Sequence, residues 1–163
     1  MARLEVFNPN PRPLDTAIDL LNGSWQLHYS TAREIRRLAG LPLGLTVGSV
    51  QQIIDVATQS FANVAQVSHP WGLAAGLVRV GAKFAVAADP LFSDQRIYVR
   101  FNERQFKAEQ LLKTTALGFN LVKAVPELPR GQRIPYLDIT YLDHNFRIGR
   151  GGEGSLFVLS KVK

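Results

Sequence analysis

The sequence predicts an all-β, antiparallel fold, a sandwich or barrel with few helices. Three observations carry this. Period-two alternation recurs in short stretches: Gln95 to Asn102 sets Ile97, Val99 and Phe101 against Arg96, Tyr98 and Arg100, the pattern of a strand with two different faces. Breakers such as His69-Pro70-Trp71-Gly72 and Asp89-Pro90 separate these stretches. Near the C-terminus, Tyr141 to Ser160 reads as two strands joined by a tight turn, with Gly151, Gly152 and Gly154 around Glu153 to supply positive φ angles.

Each element follows in order. Leu4 to Pro13 is an extended lead-in, because Pro9, Pro11 and Pro13 bias the residues before them away from helix. Leu14, Ile18 and Leu21 have helical spacing, and Gly23 fits the stop. Asn22 to Ser30 is the first strand, with Trp25, Leu27 and Tyr29 on one face and Gln26 and His28 on the other. Thr31 to Glu34 has the capping-box arrangement. The helix it opens carries Ile35, Leu38 and Ala39 on one side, flanked by Arg33, Arg36 and Arg37, and runs into the apolar loop Leu41 to Leu45. That helix reads either as a lid or membrane-contact element or as an ordinary helix with solvated arginines.

Further strands are expected at Ser49 to Thr58, Phe61 to Ser68, Leu77 to Ala88 (one bent strand or two), Gln95 to Asn102, Phe119 to Val125 and Tyr136 to Leu142. Phe106 to Leu112 suits a helix or a strand equally. In the closing hairpin, Phe146 to Arg150 suits a strand with one wetter face, and Ser155 to Leu159 a strand covered on both.

Composition narrows function. At 163 residues, 46% hydrophobic and 20% charged, the chain is expected to form one domain, 1–163, with 1–13 as its lead-in. No apolar run reaches spanning length, and Met1 to Glu5 carries no export signal. Cysteine is absent, which removes thiol chemistry and disulfides. His28, His69 and His144 have no metal-ligand spacing, so no metal is expected. Ser24, Ser30 and Ser155 sit in no nucleophile elbow. Asp138 and Asp143 suit turn caps better than an acid/base pair. Gly149 to Gly154 is glycine-rich but opens no helix, so it is a turn and not a phosphate loop. The net charge of +6 favours acidic partners such as anionic lipid surfaces. Nucleic acid would need aromatics beside basic residues on an open face, and only Tyr98 between Arg96 and Arg100 offers that.

A family resemblance runs through nearly the whole chain. Its pieces are Leu4-Glu5 with Asn8 to Pro11, Leu20 to Trp25 running to Tyr29-Ser30-Thr31, Leu41 to Leu43, Val47-Gly48, and Gln52 to Asp55. The last are Thr140 to Asp143, Arg147-Ile148, Arg150-Gly151 and Gly154 to Leu159. In these the chain resembles the plastid lipid-associated protein/fibrillin family, in a cyanobacterial-type version. The resemblance implies an antiparallel lipocalin-like β-barrel with a short N-terminal helix and an amphipathic helix near the barrel mouth. It implies a non-enzymatic binder of hydrophobic small molecules (isoprenoid, quinone, carotenoid or acyl lipid) at photosynthetic membranes, without a cofactor, located in the cytoplasm or peripheral to thylakoids.

On that reading Trp25, Leu27, Tyr29, Ile54, Phe84, Val86, Ile97, Val99, Phe101 and Tyr141 line a ligand cavity. Arg33, Arg36, Arg37, Leu41, Leu43 and Leu45 meet an anionic membrane surface. Gly23, Arg147, Arg150, Gly151 and Gly154 are structural, with Arg147 or Arg150 over the Trp25 ring as in lipocalin-like barrels. Two alternatives remain open at this point. A tetrapyrrole-handling chaperone or lyase would need arginines inside the barrel, and a membrane-surface or scaffold protein would have a filled core.

Overall fold

A computed structural model describes the backbone of residues 2–32, 46–72, 74–111, 114–115, 120–124 and 133–163, and the side chains of 2–32, 46–72, 74–102, 105 and 133–163. Two one-turn helices, α1 (Ala2–Glu5) and α2 (Pro13–Thr16), and a 3₁₀ turn (Ile18–Leu21) precede ten strands. These are β1 (Gly23–Ser30), β2 (Thr46–Asp55), β3 (Ser60–Ser68), β4 (Ala74–Val86), β5 (Arg96–Leu111), β6 (Thr114–Thr115), β7 (Asn120–Ala124), β8 (Tyr136–Leu142), β9 (Phe146–Gly151) and β10 (Leu156–Lys161).

Eight of them close an antiparallel barrel in the order β4-β3-β2-β1-β10-β9-β8-β5, with β5 returning to β4. The first and last strands are neighbours, Trp25 facing Lys161 and Leu27 facing Leu159. β5 is shared along its length. Its start, Arg96 to Tyr98, pairs with β8, and its later part, Glu103 to Lys107, pairs with β7. The short β5–β8 seam is reinforced on its outer face, where Arg96 donates to both oxygens of Asp138 at 2.6 and 2.8 Å. The same guanidinium lies 3.9 Å from the ring centres of both Phe92 and Tyr136.

The closing hairpin forms as expected. Gly154 supplies a positive φ of 75° in its turn, and the Gly151 N–H donates to the Ser155 carbonyl at 2.8 Å. Gly23, at φ 107°, turns the chain from the 3₁₀ turn into β1. Elsewhere the structure corrects the expectations. The lead-in begins with α1, and the helix expected over Leu14 to Leu21 is two short pieces, broken at Ala17 where φ reaches −143°. Leu77 to Val86 belongs to a single strand, which ends before Ala87, and the ambiguous Phe106 stretch continues β5. β9 has no wet face at its centre, because Arg147, Ile148 and Gly149 are all buried.

The asparagines between the lead-in prolines have a defined task. Beyond Asp138, β8 has no β5 partner. Asn8 Nδ2 donates to the Thr140 carbonyl at 3.1 Å, Asn10 Nδ2 donates to the Leu142 carbonyl at 2.8 Å, and Asn8 Oδ1 accepts from the Leu142 N–H at 3.1 Å. Two amide side chains thus stand in for a strand and satisfy an edge that would otherwise be orphaned.

Glu5 clasps the lead-in to the barrel. Arg150 donates to both its oxygens at 2.8 Å, and the Thr140 hydroxyl donates at 2.5 Å. The Arg150 guanidinium, partly opposed by desolvation, holds the Glu5 carboxyl below its ordinary value of 4.5. The stabilisation is therefore present above that ordinary value and is lost as pH falls below it, through the lowered folded value. Glu5→Gln should cost about 1 kcal/mol at neutral pH and nothing once both proteins are fully acidified. Urea melts of the two proteins across this range would show their midpoints converge; a constant gap would rule out the clasp.

Candidate functional site

The site is the barrel interior. Residues directly opposite in a ladder share a face, and the registers make one continuous inner surface. Gln52 stands opposite Trp25 and Asn63, Asn63 opposite Val80, and Val50 opposite Ala65. Arg147 stands opposite Leu159, which faces Leu27.

One end is solid. Leu14, Ala17 and Leu21 from the N-terminal turns plug it, packed with Trp25, Ile54, Phe84, Ile97, Ile139, Leu142 and Leu159. Trp25 has no exposed surface. Its indole N–H donates to the Leu21 carbonyl at 2.8 Å, capping the 3₁₀ turn. Two cations lie over its ring, Arg147 at 4.9 Å and Lys161 at 4.6 Å. Lys161 also bonds the carbonyls of Leu20 and Asn22. Burial and the nearby Arg147 charge lower its pKa.

Above this plug lies a polar floor. Arg147 is only 2% exposed. Its Nη2 donates to Gln52 Oε1 at 2.5 Å, and Gln52 Nε2 donates to Asn63 Oδ1 at 3.0 Å. The Arg147 Nε has no hydrogen-bond partner, and no carboxylate of the described residues makes an ion pair with the guanidinium. Desolvation pushes its pKa down to about 9. Beside it is a void of about 20 Å³ lined by Leu21, Gln52, Ile54, Phe61, Phe84, Ile97, Leu137, Ile139 and Arg147.

Above the floor several described residues of the inner surface are not fully buried. Leu27, Val50, Gln52, Asn63, Val78, Val80, Leu137 and Phe157 belong to the inner surface, yet each is only half-buried. The β1–β2 ladder covers only Gly23 to Gln26 of β1. Where it ends, Gln26 Nε2 donates to the Val50 carbonyl at 3.0 Å. The arrangement is an apolar cup with a hydrogen-bonding, cationic base.

The expected lining residues divide accordingly. Ile54, Phe84 and Ile97 are buried and border the void, and Trp25 is packed in the plug. Leu27 and Val86 are half-buried against that core, and Val99 is buried beside them, opposite Phe84. Phe101 shares this face, meeting Phe61 edge to face at 6.4 Å, but is 41% exposed. Tyr29 and Tyr141 do not join the lining. Irregularities between Leu27 and Tyr29, and between Ile139 and Tyr141, shift the register by one, so they face Val158 and Ile148 on the outer surface. There Tyr141 meets Phe146 edge to face and donates to Asp143 at 2.9 Å.

Of the structural residues, Arg147 takes the place over Trp25, whereas Arg150 points outward to Glu5. Arg33, Arg36, Arg37, Leu41, Leu43 and Leu45 lie outside the described residues. Gln52, Asn63, Val50, Val80 and Leu137 were not anticipated. Parity with Ile54 was the available signal for Gln52 and Val50.

The two tryptophans should report this geometry separately, since Trp71 is 79% exposed and Trp25 not at all. Trp25→Phe should leave red-shifted emission that iodide quenches, and Trp71→Phe blue-shifted emission that it does not. Trp25→Phe should also destabilise by about 1–3 kcal/mol, from the lost carbonyl cap and the weaker cation contacts of a phenyl ring. Equal quenching of the two variants would refute the plug.

Comparison with known proteins follows the same span. The PAP_fibrillin family model matches residues 1–160. Plastoglobulin-1 of Pisum sativum is 31% identical over 99% of this chain and 52% of its own length. The chromoplast-specific carotenoid-associated protein of Cucumis sativus is 30% identical over 99% of this chain and 58% of its own. A light-induced chloroplast protein of Solanum demissum is 29% identical over 99% and 58%. The chain thus spans about half the length of the curated relatives it matches. No solved structure matches. With the family model covering all but its last residues, the chain belongs to the plastid lipid-associated protein/fibrillin family.

Proposed function

We propose that this chain is a non-enzymatic binder of a hydrophobic small molecule, an isoprenoid, quinone, carotenoid or acyl lipid, which it takes into the barrel cup at a lipid surface. The observation that carries the reading is the half-buried apolar inner surface above the Trp25 plug. An apolar guest there leaves water for protein, at about 25 cal/mol per Å² of apolar surface buried. The names of relatives agree in kind, since they are called plastoglobulin and carotenoid-associated. A helix able to cross a membrane is absent among the described residues, and the basic segment Arg33, Arg36 and Arg37 with Leu41, Leu43 and Leu45 is the proposed surface contact. Anionic headgroups attract such residues at about 1 kcal/mol each.

The tetrapyrrole reading keeps one observation in its favour, the inward-facing Arg147. The filled-core reading describes the plugged end, but the half-buried inner residues above it argue against a solid interior throughout.

Two experiments test the proposal. Val80→Phe adds bulk to the cup without touching the plug, and should weaken binding of a fluorescent polyene lipid by about tenfold or more, equivalent to 1.4 kcal/mol, with unchanged circular dichroism. Unaltered affinity would remove the cup as the site. Converting Arg33, Arg36 and Arg37 to Gln should reduce co-sedimentation with anionic liposomes and leave ligand affinity intact. Undiminished sedimentation would dispose of the membrane contact.

A further inference from the structure

Arg147 is buried without a carboxylate partner among the described residues. Taking a guanidinium out of water costs several kcal/mol, and proteins ordinarily offset this with a carboxylate. Among the described residues the compensation is one hydrogen bond from Nη2 to the Gln52 amide and one ring contact with Trp25. Nε is left over, buried and unpartnered. A neighbouring cation, Lys161, adds repulsion, not relief.

The geometry points to an anion-accepting base of the cup: Arg147 and Gln52, the latter held by Asn63, receive the carboxylate head of a single-chain lipid whose tail lies along the apolar wall above. This rests on the reading of the cup as a hydrophobic-ligand site, and it narrows the ligand class. Size permits the head. A water-sized group needs about 10–15 Å³ of such space, so the void of about 20 Å³ beside the guanidinium has room for one carboxylate oxygen. Access follows from the lining. Gln52, Phe61 and Leu137 border the void and are also half-buried, so the void adjoins the cup. The charge is available as well, because the guanidinium remains protonated at neutral pH even with its pKa pushed down to about 9.

The test compares heads on one tail. The full chain is titrated with cis-parinaric acid, its methyl ester and the corresponding alcohol, all read by polyene fluorescence at neutral pH. A charge-assisted pair in a desolvated site should make the acid bind about tenfold or more tightly than the ester. Arg147→Met should abolish that preference and leave ester affinity in place. Equal binding of acid and ester by the unaltered protein would overturn the carboxylate base while leaving the hydrophobic cup standing. Failure of all three to bind would overturn both. A preference that survives in Arg147→Met would also overturn the assignment, and the comparison in the unaltered protein stands even if that variant does not fold.

Discussion

The barrel depends on the burial of one indole. Trp25 closes the end of the barrel by three different interactions at once. Its N–H caps the 3₁₀ turn through Leu21, its ring receives Arg147 and Lys161, and its area fills the space between β1 and the plug. Each interaction ties a different part of the chain to β1: the N-terminal turns, β9 and β10. A phenylalanine would supply much of the area but not the cap. The cations could not sit in an apolar core without the electron-rich face of a ring.

The lead-in depends on the same logic of satisfying backbone groups. The prolines keep Asn8 to Pro11 out of regular structure, which frees the two asparagine amides to serve the exposed edge of β8. Glu5 and Arg150 then fix the start of that strap against β9. The N-terminal residues are thus part of the barrel wall in function, although they contribute no strand to it.

Much of this was legible in the sequence. The closing hairpin, the first strand and the Trp25–arginine contact could be read from glycine placement, alternation and family resemblance. Two things could not. A single extra residue in a strand reverses every later side chain, so the irregularities after Leu27 and Ile139 put Tyr29 and Tyr141 outside although their spacing pointed in. The solvated role first assigned to β9's basic residues also failed for Arg147. An arginine within an alternating strand signals water only when no ring waits inside to accept it, and that ring is more than a hundred residues away in the chain. The polar floor was missed for a related reason. Gln52 and Asn63 look like surface residues until each is placed opposite its partner.

The pairing of β1 with β10 has a kinetic consequence. The ladder that completes the barrel joins the first strand to the tenth, Trp25 opposite Lys161. Closing so large a loop must precede any reward from the contacts it makes. A chain emerging from synthesis therefore holds β1 with one edge unpaired until β10 has been added. During that interval Trp25 lacks both of its cations, and the cup has no base.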